Sequence, residues 1–245
     1  MEKKYNKAHI GETYVTKQGY TCKVINGGSK HGYCTIKINN WMHEVQFTHV
    51  KRGNIKYPLH PSVFNIAYVG VGDYPLYINR KATPAYKIWK SMLQRCYDSK
   101  WQEKQPTYTT AVVCREWLNY QNFAEWFYTK SNYKEGWQLD KDLLRKNNKV
   151  YSPNTCLFIP QALNVFLSKN KCTNTSGYTG VTWDANKNKW RARICEIEGN
   201  RVELGFFTKK EDAANTYFLA QTKEADKWKE KMQGTLPQKA IKGIK

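Results

Sequence analysis

No stretch of this 245-residue chain approaches the ~20 consecutive apolar residues that a helix needs to cross a bilayer. The start, MEKKYNKAHIGE, lacks the apolar centre of a signal peptide, so a soluble intracellular protein is expected. Cysteine pairs at metal or redox spacing are missing too. The seven cysteines, Cys22, Cys34, Cys96, Cys114, Cys156, Cys172 and Cys195, include no C-x-x-C. An odd, unevenly spaced set argues against a disulfide framework and against a zinc knuckle, and reads as reduced core thiols. A glycine-rich phosphate loop is also absent: Gly70-Val71-Gly72 is isolated, and Gly27-Gly28 precedes neither a helix nor a Lys-Ser/Thr pair. Histidine stops early, at His9, His31, His43, His49 and His60, without an H-E-x-x-H or comparable ligand spacing. Acids are scarce, with 20 Asp and Glu against 40 Lys and Arg.

The resulting formal charge of +20 is spread evenly, with +7 in residues 1–60, +6 in 61–167 and +7 in 168–245. A polyanion contacted along the whole length suits that distribution, because neutralising phosphates releases condensed counterions. With 17 Tyr and 9 Trp among the basic residues, nucleic acid is the expected partner and a membrane is not. The length allows two or three small domains. Residues 1–60 carry the short β-branched and aromatic runs TYVTKQ, YTCKVIN, YCTIKIN and HEVQFTHV, which suggest a small SH3-like β module. Residues 61–82, with Pro61, Pro75 and several glycines, read as an extended connector.

Residues 83–167 open on Thr83-Pro84, a helix cap followed by proline in the first turn. Ala85, Ile88, Trp89, Met92, Leu93 and Cys96 form an apolar face, with Lys87, Lys90 and Arg95 on the other side. A second helix is expected over 119–130, burying Tyr120, Phe123, Trp126 and Phe127. Then 138–144 reads as a strand, 145–154 as a polar loop, 155–159 as a strand and 160–167 as a helix. Residues 168–177, SKNKCTNTSG, read as a linker, and 233–245 as a basic tail. Within 178–232, GYTGVTWD, KWRARICEIE and RVELGFF read as three strands covered by the helix TKKEDAANTYFLAQ. Alternation sends Trp190, Ala192 and Ile194 to one face and Arg191, Arg193 and Cys195 to the other. The third strand is expected to send Val202, Leu204 and Phe206 inward and Arg201 and Glu203 outward, after a turn at Gly199-Asn200. Thr208 with Glu211 reads as a capping box. The expected fold class is α+β in three parts.

The matches Gly180-Val181, Lys189-Trp190 with Ala192 and Ile194, Leu204-Gly205 with Phe207, and Glu211 with Ala213-Ala214 resemble the AP2/ERF DNA-binding domain. They cover about residues 176–226. In that family the exposed face of the sheet lies in the DNA major groove. The resemblance implies a face made here of Thr179, Thr182, Arg191, Arg193, Cys195, Arg201 and Glu203. Plant members carry arginines where Thr179, Thr182 and Cys195 stand, an acid at Arg193 and a tryptophan at Glu203. Double-stranded DNA and the docking mode are thus implied, and the plant recognition sequence is not.

Over residues 83–167, the stretches AYKIWKSMLQRCY and YSPNTC resemble the HNH endonucleases of phages and mobile elements, which are built on a ββα-metal finger. An AP2 domain appended to such a nuclease is a familiar arrangement in phage genomes. The resemblance implies Mg²⁺ or another divalent metal held by Asp140 and Asn164, hard oxygen donors that suit it, and no organic cofactor. It implies a general base at Lys141, oriented by Asn154. The family's base is a histidine, because taking a proton from water near neutral pH needs such a group, whereas an ammonium already holds its proton there. Three routes stay open: a histidine supplied in space by the N-terminal module, metal-bound water activated through Asp142, or a finger that binds DNA without cutting it. The expected function is a double-stranded DNA-binding protein of the phage HNH homing-endonuclease type that cleaves phosphodiester bonds. Its alternative is an inactive regulator or architectural protein of the same build. The expected location is the cytoplasm of a bacterial or phage-infected cell.

Overall fold

Period-two patterning in the N-terminal segment produces four consecutive antiparallel strands. They are β1 (Thr13–Val15), β2 (Thr21–Gly27), β3 (Tyr33–Ile38) and β4 (Trp41–Gln46), adjacent in that order. The computed structural model describes residues 9–168 and 176–245. Cys22, Val24, Cys34, Ile36 and Ile38 face one side, where Phe47 and Val50 of the short helix α1 (Phe47–Lys51) close the core with Ile55 and Tyr57. The end of HEVQFTHV, expected as strand, is this helix. Among the described residues the edges β1 and β4 do not pair with each other.

The connector is tied down rather than simply extended. A two-residue hairpin, β5 (Tyr77–Ile78) with β6 (Lys81–Ala82), turns at Asn79 and Arg80, both at positive φ. Gln121 clamps it through Tyr74, accepting the Tyr74 N–H at 3.0 Å and donating to the Tyr74 carbonyl at 3.1 Å.

Helix α2 (Pro84–Tyr97) starts as its sequence suggests, with Thr83 Oγ1 accepting the Tyr86 N–H at 3.3 Å. The short helix α3 (Ser99–Lys104) and the strand β7 (Val112–Val113) lead to α4 (Tyr120–Thr129). Ala85, Trp89, Met92, Leu93 and Cys96 of α2 are buried with Tyr120, Phe123, Trp126 and Phe127 of α4 and with Trp117. The indole of Trp89 donates to the Trp117 carbonyl at 2.7 Å, so this aromatic core leaves that polar tip satisfied. Arg95 departs from the expected polar face: its guanidinium lies beside Tyr108 and Tyr151.

Next comes a ββα unit. β8 (Trp137–Asp140) pairs antiparallel with β10 (Leu157–Pro160), Asp140 opposite Leu157, and α5 (Gln161–Leu167) follows directly. The first strand stops at Asp140 instead of running to 144, because Asp140 Oδ1 accepts the N–H groups of Asp142 and Leu143 and turns the chain. Within the loop, β9 (Val150–Tyr151) pairs in parallel with β7 and so anchors the unit to the helices.

β11 (Val181–Asp184), β12 (Lys189–Cys195) and β13 (Arg201–Phe207) form an antiparallel sheet covered by α6 (Lys210–Met232). Val181, Ala192 and Ala213 are its buried centre. Ala192 faces Gly205 while Arg193 faces Glu203, so Leu204 is the extra residue of a β-bulge. Gly205, at φ 138°, makes the break possible. Beyond it the phase inverts: Phe207 packs inward and Phe206 stands opposite Arg191 on the outer face, the reverse of the expected order. The expected capping box is not formed either. The cap is Lys209, which makes no side-chain bond, and Thr208 lies one position too early.

The far half of α6 carries the largest departure. At 23 residues it is roughly 35 Å long, more than the sheet needs. Ala225, Trp228 and Met232 pack on Leu143, Leu157, Ile159 and Leu163 of the ββα unit. The chain then folds back through α7 (Gln238–Gly243), adding Leu236, Ala240, Ile241 and Ile244 to the same core. Segment 233–245 is therefore not a free basic tail; its lysines stay in water while the apolar residues between them face inward. Gly243 backs onto Leu143 so closely that a Cβ would stand 2.6 Å from the Leu143 carbonyl oxygen. Most of the expected 168–177 linker, residues 169–175 with Cys172, lies outside the described residues. No helix among the described residues is long and apolar enough to cross a membrane. The whole is a mixed α+β fold with several small sheets.

Candidate functional site

Pleating places Thr182, Arg191 and Phe206 in one cross-strand row on the outer face of the C-terminal sheet. Arg193 opposite Glu203, and Cys195 opposite Arg201, continue that face. Arg191 is committed within the protein by a salt bridge to Asp184 at 3.4 Å. Its Nε and the Thr182 hydroxyl are buried with no hydrogen-bond partner among the described residues. Arg193 and Arg201 have no carboxylate partner among the described residues. Together with Thr179, Thr182 and Cys195 they line a depression of about 300 Å³. All seven expected residues thus belong to one surface. Phe206 joins them unforeseen, with Lys187 Nζ 3.4 Å from its ring centroid.

In the ββα unit, Asp140 Oδ1 accepts from Asp142 at 2.9 Å and from Leu143 at 2.7 Å, while Oδ2 has no partner among the described residues. Burial pushes the Asp140 carboxyl up; the Leu143 N–H opposes that rise and the Asp142 charge adds to it. Lys141 turns inward, only 9% exposed, and its Nζ donates to both Asp142 oxygens at 2.8 and 2.7 Å. Asn164 on α5 donates to Gln138 Oε1 at 2.6 Å. Gln138 is two residues before Asp140 and on the same strand face, so the α5 amide and the β8 carboxylate serve one side of the hairpin.

Asn154 does not join them. It is exposed and lines a separate cavity of about 440 Å³ with Glu116, Asn122, Glu125 and Lys130. The asparagine that organises the loop is Asn148, which is buried and donates to the carbonyls of Lys141 at 3.0 Å and Val150 at 2.6 Å. Its polar surroundings in sequence, RKNNK, hid it among surface residues; the burial of a short amide in a loop is visible only in three dimensions. The histidines stay with the N-terminal module. His9 stacks on Phe47 and meets Glu12 at 3.0 Å, His43 stacks on Trp41, and His60 meets the Tyr20 hydroxyl at 3.2 Å.

Among the described residues no group of 3 or more His, Cys, Asp or Glu side chains converges. Asp140 Oδ2 and Asn164 Oδ1 are nevertheless hard donors without partners among the described residues. Oxygen donors of this kind suit Mg²⁺, and Asp140 and Asn164 are the residues that would hold it. Cys22, Cys34, Cys96 and Cys156 are buried, as core thiols should be, and burial pushes Cys96 and Cys156 up to about 12. No family model, curated protein or solved structure matches this chain.

Proposed function

We propose that this chain is a double-stranded DNA-binding protein of the combined HNH and AP2 kind, which reads the major groove with the outer face of its C-terminal sheet. The observation that carries the reading is the state of that face. Among the described residues Arg193 and Arg201 form no salt bridge, although Glu203 stands opposite Arg193, and beside them Thr182 Oγ1 and Arg191 Nε have no hydrogen-bond partner. Buried polar atoms nearly always find a partner, and guanidinium groups on a pleated ribbon suit guanine edges and phosphates. The charge of +20 supplies the sequence-independent attraction. The N-terminal sheet with α1 is in keeping with a small SH3-like module.

For the ββα unit, holding DNA without cutting it is the reading its chemistry favours. The base position carries an ammonium, and that ammonium occupies both oxygens of Asp142, the other candidate proton acceptor. Cleavage is the second reading, supported by the free oxygens of Asp140 and Asn164. A divalent ion held there would stabilise the leaving oxyanion of a phosphodiester. Plasmid nicking with Mg²⁺ or Mn²⁺ against an EDTA control decides between them. The non-cutting reading expects no nicking by the wild type, and nicking gained by Lys141→His where the geometry for a base is retained. Metal-dependent nicking that disappears in Asp140→Ala and Asn164→Ala, with duplex affinity unchanged, would establish the cutting one.

A further inference from the structure

Arg95, in the last turn of α2, makes no salt bridge among the described residues although it is only partly exposed. Its guanidinium carbon is 6.0 Å from the Tyr108 ring centroid, and Tyr151 is its other close neighbour. Lys141 Nζ is 6.0 Å from that same Tyr108 ring and 5.9 Å from the Tyr151 ring. Two cations from elements distant in sequence therefore converge on one pair of aromatic rings. Cations held against ring faces and largely out of water lose hydration, and the rings return only part of that loss. Such a place calls for an anion. Arg95 has none, and the one serving Lys141 is poorly fixed: the Asp142 side chain is 53% exposed, against 11% for Lys141. The guanidinium fork and the ammonium point charge are the two donor types that grip phosphate oxygens.

We propose that Arg95 and Lys141 form a phosphodiester-binding site on the ββα unit, where the Asp142 carboxylate holds the place of a DNA phosphate until the backbone displaces it into solvent. The inference rests on the DNA-binding reading above. It assigns Lys141 to holding phosphate oxygens, with Arg95 as its partner across the tyrosines, and it involves no base-specific contact.

The test is fluorescence anisotropy of the full chain on labelled duplex DNA over a range of salt. Arg95→Gln and Lys141→Gln should each weaken binding on every sequence alike and lower the slope of log affinity against log salt by about one unit. Arg95→Lys should restore the slope. Asp142→Asn should tighten binding several-fold, because the competing carboxylate is gone; should Arg95→Gln melt early in a thermal scan, this variant and Arg95→Lys carry the test. Unchanged slopes in both glutamine variants, or weaker binding by Asp142→Asn, overturn the site while leaving DNA binding intact. A wild-type chain without salt-dependent duplex binding would instead remove the reading on which the site rests.

Discussion

Arg191 and Arg193 stand two positions apart on β12 and are held differently. Asp184 holds the first, while the second forms no salt bridge among the described residues and lines the depression. Arg193→Ala should therefore cost about 1–3 kcal/mol of duplex affinity and relax preference at one base pair, measured by anisotropy over a panel of sequences. A loss equal on all sequences would make Arg193 a phosphate contact instead. Asp140 allows a pH prediction. Its raised carboxyl means that the folded chain binds the proton more tightly than the unfolded one. The contribution of that group is complete below the ordinary carboxylate range and is lost as pH rises through the raised value. Asp140→Asn keeps the acceptor for Asp142 and Leu143 and removes the charge whose desolvation raises the carboxyl, so it should raise Tm at neutral pH. The gain should vanish below about pH 4, where the wild-type carboxyl is protonated as well. A gain that is the same at every pH would show that charge burial is not its cause. At this scale the sequence was a partial guide. Arginine alternation on β12 was legible, whereas Arg95 was not, because a long side chain at a helix edge reaches back to rings that periodicity does not register.

Elements were legible where one local rule decided them. The Thr83-Pro84 cap and the apolar stripe of α2, and the aromatic side of α4, follow directly from helical spacing. β13 misleads because a strict period of two cannot anticipate a bulge, and the glycine that permits one looks like part of an ordinary strand. Helix α6 misleads differently. Its first half lies on the sheet and its second half lies on the ββα unit, so no single stripe describes it. Glu224, only 4% exposed, accepts the Ile197 N–H at 3.0 Å and fastens the β12–β13 turn to this helix. Trp228 anchors the second half, and Trp228→Ala should destabilise the protein by about 3–5 kcal/mol in urea unfolding. A loss below about 1 kcal/mol would mean that this half of α6 is not a core element.

At the scale of the molecule, residues 168–177 suggested a division between a nuclease-like part and a DNA-binding part. Packing joins the two through the shared core of α5, α6, α7 and the ββα strands. Sparse apolar residues in a lysine-rich C-terminal segment gave no sign of this, because their partners lie some eighty positions earlier. A fragment of about residues 171–231, without the ββα unit and α7, leaves Ala225 and Trp228 uncovered, so it should show a broad, early thermal transition. Residues 61–245 together, which keep the connector packed on α2 and α4, should melt sharply. Equal transitions for both fragments would restore the independent C-terminal domain. The sheet and the ββα unit are then joined by one packed core, over which the proposed DNA contact would extend. The most direct measurement of that account is duplex DNA binding by the full chain, wild type against Arg193→Ala/Arg201→Ala, across a salt series. The account predicts wild-type affinity that falls steeply with salt, and a double variant weakened by about tenfold or more. Affinity and salt dependence unchanged in the double variant would contradict it.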